Sequence, residues 1–132
     1  MIRFILDMPP RSSITCNVLQ DIGLLTVNDR VKQLRLNHAF NIFHDTAPSY
    51  LGHHFCKVSS FHSKTRFSEN NFIVPKIQGC QRNTFYYQAI QEWNSLPNDI
   101  KKIDKKHAFK YRVKRYMFDS ALARENSSVI YY

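Results

Sequence analysis

A chain of 132 residues, 43% hydrophobic and 14% aromatic, is one domain or part of one and has the side chains to build a core. Its 3 glycines and 5 prolines argue against a loop-dominated or disordered chain. A formal charge of +9 and a pI near 9.7 favour acidic partners, nucleic acid first and an anionic membrane surface second. Ser12, Ser13 and Thr15 precede a short helical pattern from Cys16 to Ile22, and Gly23 sits where a C′ glycine would end it. Asn28 or Asp29 then starts what reads as the longest helix, running to about His44. Val31, Leu34, Ala39, Ile42 and Phe43 make its apolar face, supplemented by Leu36 and Phe40, with Arg30, Lys32, Arg35 and Asn37 outside. Thr46-Ala47-Pro48 breaks the pattern, and Ser49 to Phe55 continues as a short helix with Pro48 at its first position.

From Val58 to Asn71 the periodicity fails and serines and asparagines mark a polar connector. Phe72-Ile73-Val74 is β-prone but short, and Pro75 limits it to an edge strand or extended segment. After a turn at Gly79 comes the densest aromatic cluster, Thr84 to Pro97. Phe85, Ala89, Trp93 and Leu96 recur there at helical spacing, with Tyr86 and Ile90 widening the stripe. Asn83 is the expected N-cap, Asn94 and Ser95 loosen the end, and Pro97 stops the helix because it has no amide hydrogen. Trp93, on the last turn of the stripe, is expected to insert into the core. Asn98 to Ile103 reads as a tight turn or short helix. Asp104 caps a final helix, roughly Lys105 to Ala123, whose inward stripe is Phe109, Val113, Tyr116, Met117 and Ala121. The predicted fold is mainly α: about five helices in one domain over residues 1–124, at most a minor β element near 72–75, and a frayed tail over 125–132.

The charge is concentrated. Between residues 101 and 115 lie Lys101, Lys102, Lys105, Lys106, Lys110, Arg112, Lys114 and Arg115, against the single acid Asp104. Such a segment is either a solvated helix face or a track for phosphates. Tyr87 and Tyr111 lie off their apolar stripes and are the better candidates for stacking on bases. His53, His54, Cys56 and His62 form the one metal-like cluster. Cysteines 40 and 24 residues apart cannot give the close-spaced pairs zinc usually needs, so no metal or cofactor is expected. Cys16, Cys56 and Cys80 read as free buried thiols of a reducing compartment, and His38 as a partly buried histidine with a hydrogen-bond partner. The opening Met1 to Leu6 is too short for a signal h-region and no apolar run approaches ~20 residues, so an intracellular chain in cytoplasm or nucleus, without a membrane partner, is expected. No phosphate-cradling glycine loop or nucleophile motif points to a small-molecule substrate.

Three blocks, in order, carry a family resemblance. They are Leu24 to Leu36, Ala47-Pro48-Ser49-Tyr50-Leu51, and a third made of Thr65-Arg66-Phe67, Phe72-Ile73-Val74-Pro75, Phe85 to Pro97 and Phe109-Lys110. With Arg3 to Arg11 they resemble the region downstream of the polymerase core in non-LTR retrotransposon reverse transcriptases, LINE-like elements of the jockey type. The similarity extends to about Phe118, and Trp93-Asn94-Ser95-Leu96-Pro97 is its most specific part. Polymerase chemistry needs paired aspartates to hold two Mg²⁺ ions. Asp7, Asp21, Asp29, Asp45, Asp99, Asp104 and Asp119 are scattered, with no adjacent pair. The resemblance therefore implies a non-catalytic C-terminal fragment, lacking fingers and palm, with RNA or RNA–DNA hybrid as partner. The alternative is an inert remnant or a protein-interaction helical module.

Overall fold

Three long helices carry the fold because each has a face that only another helix can cover. A computed structural model describes residues 2–60 and 69–129, with side chains through Asn126. His62, Thr65-Arg66-Phe67, Tyr131 and Tyr132 lie outside the described residues. The helices are α1 (Ile2–Ile5), α2 (Cys16–Asp21), α3 (Val27–Phe43), α4 (Ser49–Gly52), α5 (Phe85–Ser95), α6 (Asn98–Lys101) and α7 (Lys106–Val129). Single 3₁₀ turns occupy Val58–Ser60 and Gly79–Asn83, and no strand forms among the described residues. The mainly α architecture read from periodicity is the one that forms. α3 packs on α5 and α7, and α2 lies against the far half of α7.

The centre is aromatic. Trp93 is fully buried and stacks on Phe43 at 5.3 Å, Phe109 stacks on Phe40 at 4.4 Å, and Phe72 lies 5.7 Å from Trp93. Ala89, Ile90, Leu96, Ile100, Val113 and Met117 close around them, with Tyr116 half-buried at the edge. Offset and tilted ring pairs of this kind add about 0.5–1.5 kcal/mol each beyond their buried area.

α2 ends as its sequence demands. Gly23 takes a left-handed φ of 69°, Leu24 N–H donates to Leu19 O and Gly23 N–H to Gln20 O, which is a Schellman closure. α3 starts at Val27 with Thr26 as N-cap, its hydroxyl accepting from Asp29 N–H and donating to Asp29 Oδ2.

The inward face of α3 differs from the expected one. Leu36, Ala39, Phe40 and Ile42 are buried as predicted, but Asp29 and Gln33 continue the face, while Val31 and Leu34 are exposed. The reason lies far along the chain. Arg124 donates to both oxygens of Asp29 at 2.9 and 3.1 Å, and that pairing lets a carboxylate sit at 2% exposure. Arg35, expected outside, is half-buried and paired with Glu92, whose carboxyl burial pushes above the ordinary range.

Further corrections concern helix ends. Phe85, predicted as core, is 41% exposed; it begins α5, where the helix has not yet reached cover, and meets the edge of His38. Thr84, not Asn83, is the N-cap, because Asn83 closes the preceding 3₁₀ turn. α7, not α3, is the longest helix. The tail predicted to fray from residue 125 stays helical to Val129, since Glu125 Oε1 accepts from Cys16 N–H at 2.8 Å while its neighbour holds Asp29. That amide keeps the Glu125 carboxyl below its ordinary range.

A basic surface on the last two helices

The Trp93-Asn94-Ser95-Leu96-Pro97 block is a fastening rather than a reaction centre. Lys57 and Phe72 face each other in an isolated antiparallel bridge, closed by Val58 N–H to Asn71 O and Ile73 N–H to Cys56 O. Alternation along an extended chain turns the N–H and C=O of Phe72 away from that partner, toward α5. There the Asn94 side chain meets both: Oδ1 accepts from Phe72 N–H at 3.0 Å and Nδ2 donates to Phe72 O at 2.9 Å. Trp93 Nε1 donates to Asn70 O at 2.8 Å, one residue pair upstream. The block thus uses a carboxamide as a stand-in peptide unit to bind this extended segment to the helices.

Lys101 belongs to this fastening. Sequence placed it among the phosphate-contacting residues, but it is 3% exposed. Its Nζ donates to Asn71 Oδ1 at 2.7 Å and Asn94 O at 2.9 Å, and burial lowers its pKa below the ordinary lysine value. An ammonium spent on two internal acceptors has no free face for a phosphate, so Lys101 leaves the basic set.

The other seven stay outside. Lys102, Lys105, Lys106, Lys110, Arg112 and Arg115 are exposed and Lys114 half-buried. The ion pairs among the described residues are Arg35–Glu92, Lys57–Asp45 and Arg124–Asp29, none of which uses them. Lys106, Lys110 and Lys114 follow one another at i, i+4 spacing on α7, a row about 12 Å long at 1.5 Å per residue. Arg112 and Arg115 instead line a groove with Asp99 and Asp119, whose carboxylates soften their field. The lysines therefore carry most of the unbalanced charge.

The two stacking candidates separate. Tyr87 is half-buried in a groove with His54, Pro75, Ile77, Gln81, Thr84 and Tyr86, where no lysine or arginine lies. Tyr111 is 60% exposed on α7 and lines a groove of about 410 Å³ with Gln20, Lys114, Arg115, Phe118 and Asp119. Sequence reasoning missed Phe118 here, although Tyr111, Lys114, Arg115 and Phe118 stand at i, i+3, i+4 and i+7 and share a face. Gln20 arrives from α2 and left no local signal.

Of the metal-like cluster, His53 and Cys56 are exposed and His54 stacks on Tyr86 at 4.3 Å. Among the described residues no three His, Cys, Asp or Glu side chains converge. The thiols are not buried as expected: Cys56 and Cys80 are exposed and Cys16 half-buried. His38 is exposed, and among the described residues it makes the edge contact to Phe85 described above. No helix among the described residues is long and apolar enough to cross a membrane. Comparison with protein-family models, curated proteins and solved structures found none that matches this chain.

Proposed function

We propose that this chain is a non-catalytic helical module that holds RNA or RNA–DNA hybrid by its phosphate backbone. The observation that carries the reading is the set of seven cations from Lys102 to Arg115, on α7 and the connector before it, six of them exposed and all without an ion-pair partner among the described residues. Their placement supports it further. Lys105, Lys106 and His107 crowd the start of α7, whose first turn has no acid; Asp104, expected as its cap, lies two residues before the first helical residue. Cations there oppose the helix dipole, and a phosphate would relieve that opposition. Contacts of this kind read shape and charge without base sequence, which suits an A-like hybrid. The resemblance to the post-palm region of LINE-like reverse transcriptases points to the same partner, and the absence of adjacent aspartates argues against polymerase chemistry in this chain.

Affinity for a labelled hybrid should fall with salt at a log–log slope near −0.7 to −0.9 per phosphate engaged, or roughly −3 to −6 for four to seven contacts. Changing Lys102, Lys106 and Lys110 to glutamine together should reduce that slope by about 2 to 3. Absence of binding at about 50 mM salt, or an unchanged slope in the triple variant, would remove the proposal.

One observation favours a second reading, a protein-interaction module. Val27, Val31, Leu34 and His38 line up at i, i+4, i+7 and i+11 on the outside of α3 beside Phe85, and Val27 is 81% exposed. An uncovered apolar strip is where a partner docks. Native protein should then enhance the fluorescence of a hydrophobic dye, and Val31→Lys with Leu34→Lys should remove over half of that signal at unchanged helicity. A native state silent to the dye would sink this reading.

A further inference from the structure

Backbone contact alone leaves the α2–α7 groove unused. Its floor is aromatic, with Phe118 half-buried and Tyr111 standing out at 60% exposure. Two cations line it as well: Lys114 holds its Nζ 5.8 Å from the centre of the Phe118 ring, and Arg115 is the next residue along α7. Gln20, from α2, and Asp119, one turn after Arg115 on α7, add an amide and a carboxylate to the lining. Tyr111 has no buried role: it lies opposite the Phe109–Val113–Met117 stripe, and among the described residues no ring or hydrogen-bond partner engages it. A large planar side chain kept on the wet side of a basic helix, next to two cations, is the combination by which single-strand binders hold bases and phosphates together. A paired duplex cannot use it, because its base faces are covered by their neighbours in the stack.

We infer that this groove takes one unpaired base of single-stranded nucleic acid, stacked on Tyr111, with the adjoining phosphates on Lys114 and Arg115 and the base edge toward Gln20 and Asp119. The inference rests on the nucleic-acid reading above and narrows it: the lysine row serves any backbone, and the groove adds affinity only for an unpaired strand.

The test compares labelled oligouridylate and oligodeoxythymidylate with a blunt RNA–DNA hybrid of equal length, by fluorescence anisotropy at low salt. Tyr111→Ala should weaken binding of either single strand about tenfold and leave hybrid affinity within about twofold. Tyr111→Trp should restore single-strand affinity, and its indole emission should be quenched as the strand binds, a signal that a merely structural tyrosine would not produce. Equal losses on single strand and hybrid, or no loss on either, would overturn the stacking site while leaving the backbone reading intact. Failure of the unaltered chain to bind any of the three probes would overturn both. Tyr111 is exposed, so circular dichroism should show the variants folded.

Discussion

Trp93→Ala should lower the urea midpoint of unfolding by about 2 M, a loss of about 3–5 kcal/mol at the slope expected for a chain of this size. The indole touches Phe43, Phe72 and Phe109, ring systems from three different parts of the chain, so its removal leaves a hole that no single helix can shift to fill. It also leaves Asn70 O without its donor. Far-UV circular dichroism is the readout, since the only tryptophan is lost in the variant. Trp93→Phe, which keeps most of the apolar volume, should cost much less. A midpoint within a few tenths of a molar of the parent would mean that the packing around this ring is wrongly described.

Asn94→Leu is expected to be nearly as damaging, although it swaps a polar side chain for an apolar one of similar size beside a hydrophobic core. The carboxamide satisfies both the N–H and the C=O of Phe72, a residue 1% exposed. Leucine can satisfy neither, and each buried group left unpaired costs about 1–3 kcal/mol, so roughly 2–6 kcal/mol in all is expected. Asn94→Asp should fall between, because one carboxylate oxygen can still accept from Phe72 N–H while the other faces Phe72 O. If Asn94→Leu is as stable as the parent in urea titration, the segment around Phe72 is not held by this amide.

What was legible in the sequence was whatever a single helix decides for itself. Phe109, Val113 and Met117 are buried because one face at a constant spacing has nowhere else to go, and Trp93 shares that logic. Gly23 ends α2 for a reason contained in its own backbone. The misreadings share another cause. Asp29 can be buried only because Arg124 reaches it from 95 positions away, and once it is inside, Val31 and Leu34 must turn out. Lys101 looked like one more surface cation until Asn71 and Asn94 were brought beside it. In the candidate groove, the α7 side chains could be aligned by spacing, whereas Gln20 could be added only by docking α2.

The Asp29–Arg124 and Cys16–Glu125 clasps have a consequence for how the protein is made. They join residues 95 and 109 positions apart, so the partners of α2 and α3 leave the ribosome late. At translation rates of 5–20 residues per second, α3 waits roughly 5–20 s for Arg124. Through that interval its sticky side and the Asp29 carboxylate face water or a chaperone, and α2, whose clasp to Glu125 spans 109 positions, waits longer still.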